Sequence, residues 1–260
     1  LEDYLQTEWT DLKVYLTSVT EQWATISVAG PNARKLMAEL TSDIELSPNN
    51  LPFMGHAEGT VAGVPARVFR ISFTGELSFE INVPASYGLA VWQAVVTAGE
   101  KYNITPYGTE AMHVLRAEKG YIIVGQETDG SVNPHDLGMD WVVAKNKEFV
   151  GKRSLTRADM SKPNRKQLVG ILTDDPKAVL PEGSQIVEEL RDKPPMIMVG
   201  HVTSSYWSPN LGHSIALAMV KGGLAKKGKK VYVPLLDGRV ISATITDTVF
   251  FDPEGERLRA

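Results

Sequence analysis

The chain has 260 residues, 43% hydrophobic and 22% charged, enough apolar material for one large domain or two modest ones with separate cores. A formal charge of -4 leaves no dominant basic surface for phosphate contacts, which argues against a general nucleic-acid binder; the lack of cysteine excludes disulfides, thiolate metal sites and a cysteine nucleophile. No run reaches the ~18 apolar residues of a membrane helix, and the acidic opening LEDYLQTEW lacks the basic start and apolar core of a signal peptide, so a cytoplasmic protein with no membrane partner is expected.

The opening residues read as helix, and because the chain starts at Leu1 inside that pattern it reads as truncated at its N-terminus. LKVYLTSVTEQWATISVAG then alternates like two strands around a polar turn at Thr20 to Gln22, and Pro31 opens a helix, PNARKLMAEL, at a position where its missing N–H costs nothing. GTVAGVPARVFRISFTGELSFEINVP gives three strands broken at Gly63 and at Thr74-Gly75, followed by an amphipathic helix from about Ser86 to Lys101. The spacing next predicts a helix over EAMHVLRAE with Thr109 as N-cap and Gly120 as its left-handed end, then an apolar strand, YIIV.

Between Lys145 and Lys166 stand eight basic residues against two acidic ones, a stretch that reads as a domain connection. Beyond it QLVGILT, SQIVEE, MIMVGHVTS, SIALAMV, VYVPLL and RVISATIT recur between Gly, Pro and Asp turns, with Asp237-Gly238 a hairpin signal. The expected fold class is α+β: a larger domain with a mainly antiparallel sheet over residues 1–160, then a small all-β barrel or jelly roll over 161–260.

Glu118 is the anomalous residue. At 100 degrees per residue it shares a helical stripe with Ala111, Val114 and Leu115, so a carboxylate belongs to the inward face. It also lies near the negative end of the helix dipole, and both placements disfavour an anion. Either Arg116 or Lys119 pairs with it, or a ligand supplies the donors. A flat heterocycle with adjacent ring N–H and amino groups, as in pterins, offers two parallel hydrogen bonds to its two oxygens.

Other candidates are weaker. GLAKKGKK from Gly223 fits the start of a phosphate loop, but Lys230 stands where Ser or Thr should hold magnesium and a strand follows where a helix is needed. The five histidines show no metal-ligand spacing, and neither a nucleophile elbow nor a dinucleotide glycine pattern occurs, so no metal site is expected.

The stretches RISFTGELSFEINVP, LRAEKGYIIVGQETDG and GHVTSSYWSPNLGHSIALAMV resemble the folate-binding aminomethyltransferase family. That family includes the T-protein of the glycine cleavage system and the C-terminal portions of dimethylglycine and sarcosine oxidising enzymes. GYIIVGQETDGSVNPHDLGMDW is nearest to the sarcosine oxidase branch, in its alpha subunit. The resemblance implies tetrahydrofolate as the ligand, with Glu118 on the pterin and Tyr121 and Gln126 as further wall or polar contacts. It also implies that the family's important aspartate lies upstream of Leu1, so no catalytic residue is assigned. Val124 stands where T-proteins have a tyrosine before the glycine, which removes that aromatic contact. For the sarcosine-oxidising branch the implied activity is capture of the carbon unit from oxidised sarcosine as methylenetetrahydrofolate. FAD, FMN and NAD are then expected only in other portions of the enzyme, the other sarcosine oxidase subunits are partners, and these residues alone are expected to be inactive. A stand-alone T-protein-like aminomethyltransferase and a noncatalytic assembly scaffold with a vestigial pocket are the alternatives.

Overall fold

The structure is a computed structural model that describes residues 1–193 and 195–260. The chain folds as two compact units, one of Leu1–Ser72, Glu76–Thr105 and Leu258–Ala260, the other of Phe73–Gly75 and Pro106–Arg257. No described helix is long and apolar enough to cross a membrane.

In the first unit a short helix, α1 (Glu2–Thr7), precedes β1 (Trp23–Ala29) and α2 (Ala33–Leu40). β2 (His56–Val61), β3 (Val64–Phe69) and β4 (Ser78–Pro84) follow, then α3 (Gly88–Gly99). The four strands form one antiparallel sheet in the order β1-β4-β3-β2. Period-2 patterning sets its core face: Phe79, Ile81 and Val83 of β4 are fully buried, and Leu36 and Met37 of α2 with Val91 and Val95 of α3 belong to the same core. The β2–β3 connection is a two-residue hairpin turn in which both Ala62 and Gly63 have positive φ, the geometry that matches strand twist.

The buried Arg70 guanidinium, held below its usual pKa range by burial and then by the charge of Arg34, donates to the carbonyls of Ser78, Leu258 and Ala260. Arg34 also donates to the Ala260 carbonyl, at 2.8 Å.

The predicted hairpin before Trp23 does not form. Residues 11–19 carry no strand, and Leu12, Val14, Tyr15 and Leu16 are exposed. β-propensity needs a ladder partner, and in the described residues β1 pairs only with β4.

The second unit holds α4 (Thr109–Glu118) and six strands. These are β5 (Lys166–Thr173), β6 (Gln185–Val187), β7 (Met198–Ser208), β8 (His213–Lys221), β9 (Lys230–Pro234) and β10 (Val240–Thr246). They close a barrel in the order β10-β5-β8-β7-β6-β9, all antiparallel, so the barrel and not the jelly roll is realised. Closure pairs both edges of every strand, which removes exposed ladder groups.

β8 is buried along nearly its whole length, as its unbroken apolar run SIALAMV requires. Ala216, Ala218 and Val220 belong to the barrel core, while Leu217 and Met219 pack with Leu168, Ile122, Leu137 and Phe250 in a separate cluster. A last short helix, α5 (Glu256–Arg259), ends the chain.

The basic stretch before the barrel is more than a solvated connection. Arg165 forks onto the buried Asp136 carboxylate, at 2.9 and 2.6 Å, and donates to the Ser131 carbonyl.

Asp237-Gly238 makes the β9–β10 hairpin, with the Leu235 N–H donating to the Arg239 carbonyl at 2.8 Å and Gly238 at φ +88 in open space. Gly238→Ala should therefore cost about 1 kcal/mol, all of it backbone strain. Urea denaturation should show a lower midpoint at unchanged slope.

Candidate functional site

α4 starts one residue earlier than the N-cap expectation, with Gly108 capping and Thr109 already helical. Its burial also differs from a single stripe. Ala111 is exposed and Val114 and Leu115 are half-buried, whereas Arg116, Ala117, Glu118 and Lys119 are all buried. The helix end as a whole is enclosed, so three charged side chains within four residues must find partners inside the protein.

Each finds a different one. The Arg116 guanidinium pairs with Glu127 at 3.0 Å, both side chains being fully shielded from solvent, and also donates to the Tyr121 carbonyl and the Ser204 hydroxyl. Ser204 in turn donates to Glu127. Lys119 pairs with Asp252 at 3.0 Å. Burial pushes the Asp252 carboxyl up, but Lys119 and the backbone N–H groups of Glu256 and Arg257 outweigh it and hold the group below the usual carboxylate range.

Glu118 is paired with neither of these two cations. Among the described residues its carboxylate accepts only from neutral groups, the Ser208 hydroxyl at 2.5 Å on one oxygen and the Asn210 amide at 2.7 Å on the other. Ser208 ends β7 and Asn210 follows in the turn to β8. The Glu118 carbonyl, left over at the helix end, accepts the N–H groups of Phe250 and Phe251 at 2.9 and 3.0 Å. Side chain and backbone of one residue, 2% exposed, are thus fixed from two directions. A carboxylate offers about four lone-pair sites, so one on each oxygen remains for a further donor.

The predicted strand YIIV is absent: residues 121–123 carry no regular structure and a turn follows. Charged side chains take its ladder groups, because Arg116 holds the Tyr121 carbonyl and the Glu127 carboxylate accepts the Ile123 N–H at 2.7 Å. Val124 is exposed.

The Tyr121 ring stacks on Phe73 with centroids 6.2 Å apart. The Gln126 amide is engaged by protein on both ends, donating to Glu182 and the Thr203 carbonyl and accepting from Arg116. Arg116 therefore gathers Tyr121 and Gln126 into one network, and Glu118 is held apart from it by Ser208 and Asn210. Neither of those two residues stands out in sequence as a site. Their only signal is polar side chains around Pro209 in a turn between two apolar strands, a pattern shared by ordinary hairpins. His113 tilts against Tyr206, and the described residues hold no cluster of groups able to bind a metal.

Residues 1–147 match the family model of the GCVT N-terminal domain, and residues 166–252 that of the glycine cleavage T-protein C-terminal barrel domain. A sarcosine oxidase alpha subunit from a Corynebacterium species is 49% identical over 260 residues, covering 99% of this chain and 27% of the relative. An aminomethyltransferase from Thermotoga petrophila is 31% identical, covering 96% of this chain and 65% of the relative. The chain thus spans about a quarter of the first relative and just under two thirds of the second. The crystal structure of the glycine cleavage system aminomethyltransferase T from Bartonella henselae shares the fold, with a TM-score of 0.73, 22% identity and coverage of 89% of this chain and 60% of that one.

Proposed function

Because the chain belongs to the glycine cleavage T-protein family, we propose that it is a tetrahydrofolate-binding one-carbon transfer module of the sarcosine oxidase alpha-subunit kind, with Glu118 as the pterin anchor. The observation that carries the reading is a buried carboxylate compensated by neutral donors alone, with Arg116 and Lys119 both engaged elsewhere. Adjacent N–H and amino donors on a pterin edge fit the lone pairs left on its two oxygens, and the low local dielectric strengthens each bond. Tyr121, stacked on Phe73, supplies an aromatic wall, and Gln126 supports it from the Arg116 network.

Tetrahydrofolate supplies the amine that accepts the carbon unit. The part played by this chain is to bind and orient it beside an oxidised amine, sarcosine in this reading, which turns a bimolecular encounter into a step within one complex. FAD, FMN and NAD belong to other portions of the whole enzyme and its other subunits. Within the chain, residues 1–160 are assigned to the folate-binding domain and 161–260 to the barrel domain; the two family matches fall on either side of that boundary, while residues 106–160 pack in one compact unit with the barrel strands.

Titration calorimetry of the full-length polypeptide with tetrahydrofolate tests the anchor. Glu118→Gln keeps the shape, loses the charge and turns one acceptor into a donor, so affinity should fall about 10- to 100-fold. Unchanged affinity would end this reading.

A further inference from the structure

We propose that Ser208 and Asn210 are positioning residues for Glu118: the turn from β7 to β8 holds its carboxylate by one hydrogen bond on each oxygen and aims its two remaining lone pairs at the ligand. This rests on the folate reading above and assigns the turn a role within it.

The argument begins with the cost of the anion. A carboxylate at the C-terminal end of a helix faces carbonyl dipoles, and burial adds a larger penalty. A cation would offset both but would occupy the lone pairs a ligand needs. Ser208 and Asn210 offset them with one hydrogen bond to each oxygen and leave a lone pair on each for a ligand.

The direction of the serine bond is fixed as well. The Leu211 N–H donates to Ser208 Oγ at 3.1 Å, so that oxygen is already an acceptor and its proton is directed to Glu118. Gly212, at φ +61, returns the chain into β8 and completes the turn. Three nearby titratable groups are committed elsewhere: Arg116 to Glu127, Lys119 to Asp252, and His213 through Nδ1 to the Ser214 carbonyl. Among the described residues, Asn210 and Ser208 are therefore the groups that hold the Glu118 carboxylate.

The test is tetrahydrofolate affinity of the full-length polypeptide, by calorimetry, from about pH 6 to about pH 9, with Asn210→Asp, Ser208→Ala and Ser208→Thr. In Asn210→Asp two carboxylates face each other at hydrogen-bond distance and hold one proton between them near neutrality. Affinity should be about tenfold or more below the parent at neutral pH and climb toward it as pH rises. Ser208→Ala should weaken binding about tenfold and Ser208→Thr should restore it.

A merely structural turn would change melting temperature without creating that pH profile. A flat Asn210→Asp profile, or parental affinity in Ser208→Ala, overturns the proposal. Should Asn210→Asp fail to fold, the Ser208 pair decides alone. Loss of affinity in Glu118→Gln with parental behaviour in the turn variants would sink only this inference, whereas parental affinity in Glu118→Gln sinks the folate reading itself.

Discussion

Glu127→Ala should destabilise the protein by about 3–5 kcal/mol, the cost of leaving a buried charge without its partner. Arg116 and Glu127 are both fully shielded, and the guanidinium cannot turn to water when the carboxylate is removed. Its remaining partners are a backbone carbonyl, the Ser204 and Tyr206 hydroxyls and the Gln126 amide oxygen, none of them charged. Its Nε already lacks a hydrogen-bond partner in the intact protein, so there is no spare satisfaction to redistribute. The carboxylate also closes the 123–127 turn by accepting the Ile123 N–H, and that bond goes too.

The pair itself need not be worth this much. Replacing both residues by apolar ones of similar volume should come out near neutral, because two desolvation penalties vanish with the attraction. Urea denaturation of the single variants and of the double replacement forms a cycle that separates the two quantities. A single-variant loss under about 1 kcal/mol would mean that Arg116 reaches solvent or another anion, contrary to the geometry described.

Each barrel strand was legible in the sequence because each is an apolar run bounded by Gly, Pro or Asp, and turn chemistry is local. The antiparallel sheet of the first unit was legible through β2, β3 and β4 for the same reason. What failed was decided by partners distant in sequence. LKVYLTSV has strand propensity but no described neighbour to pair with, and YIIV has an apolar pattern whose backbone groups are claimed by Arg116 and Glu127.

Glu118 was legible as an anomaly, although a stripe argument found it and an enclosed helix end explains it. Its partners were not legible. Ser208 and Asn210 lie 90 and 92 residues away, and nothing in a Ser-Pro-Asn turn says which carboxylate it will face. The choice between Glu127 and Glu118 as partner of Arg116 is likewise a tertiary outcome, and it is the one on which the site depends.

Gly120→Ala should lose roughly 2–4 kcal/mol and should also weaken folate binding, for reasons that a matched control can separate. Gly120 takes φ +70, which an alanine adopts at a cost of about 1 kcal/mol. A Cβ there would also lie 2.6 Å from the Thr248 carbonyl oxygen and 2.8 Å from its carbon, which are backbone atoms that cannot swing aside, so about 1–3 kcal/mol of overpacking is added. Gly125 has φ +94 with nothing within 4 Å of its would-be Cβ, so Gly125→Ala should show the backbone cost alone. The same displacement moves the 248–251 segment, whose Phe250 and Phe251 N–H groups grip the Glu118 carbonyl, and with it the carboxylate that the turn at Ser208 holds in place. Calorimetry should therefore find reduced tetrahydrofolate affinity in Gly120→Ala and parental affinity in Gly125→Ala. Equal losses of stability in the two variants, read from urea denaturation, would show that the close approach of Thr248 to the helix end carries no energy, and the rigid mounting argued for Glu118 would fail with it.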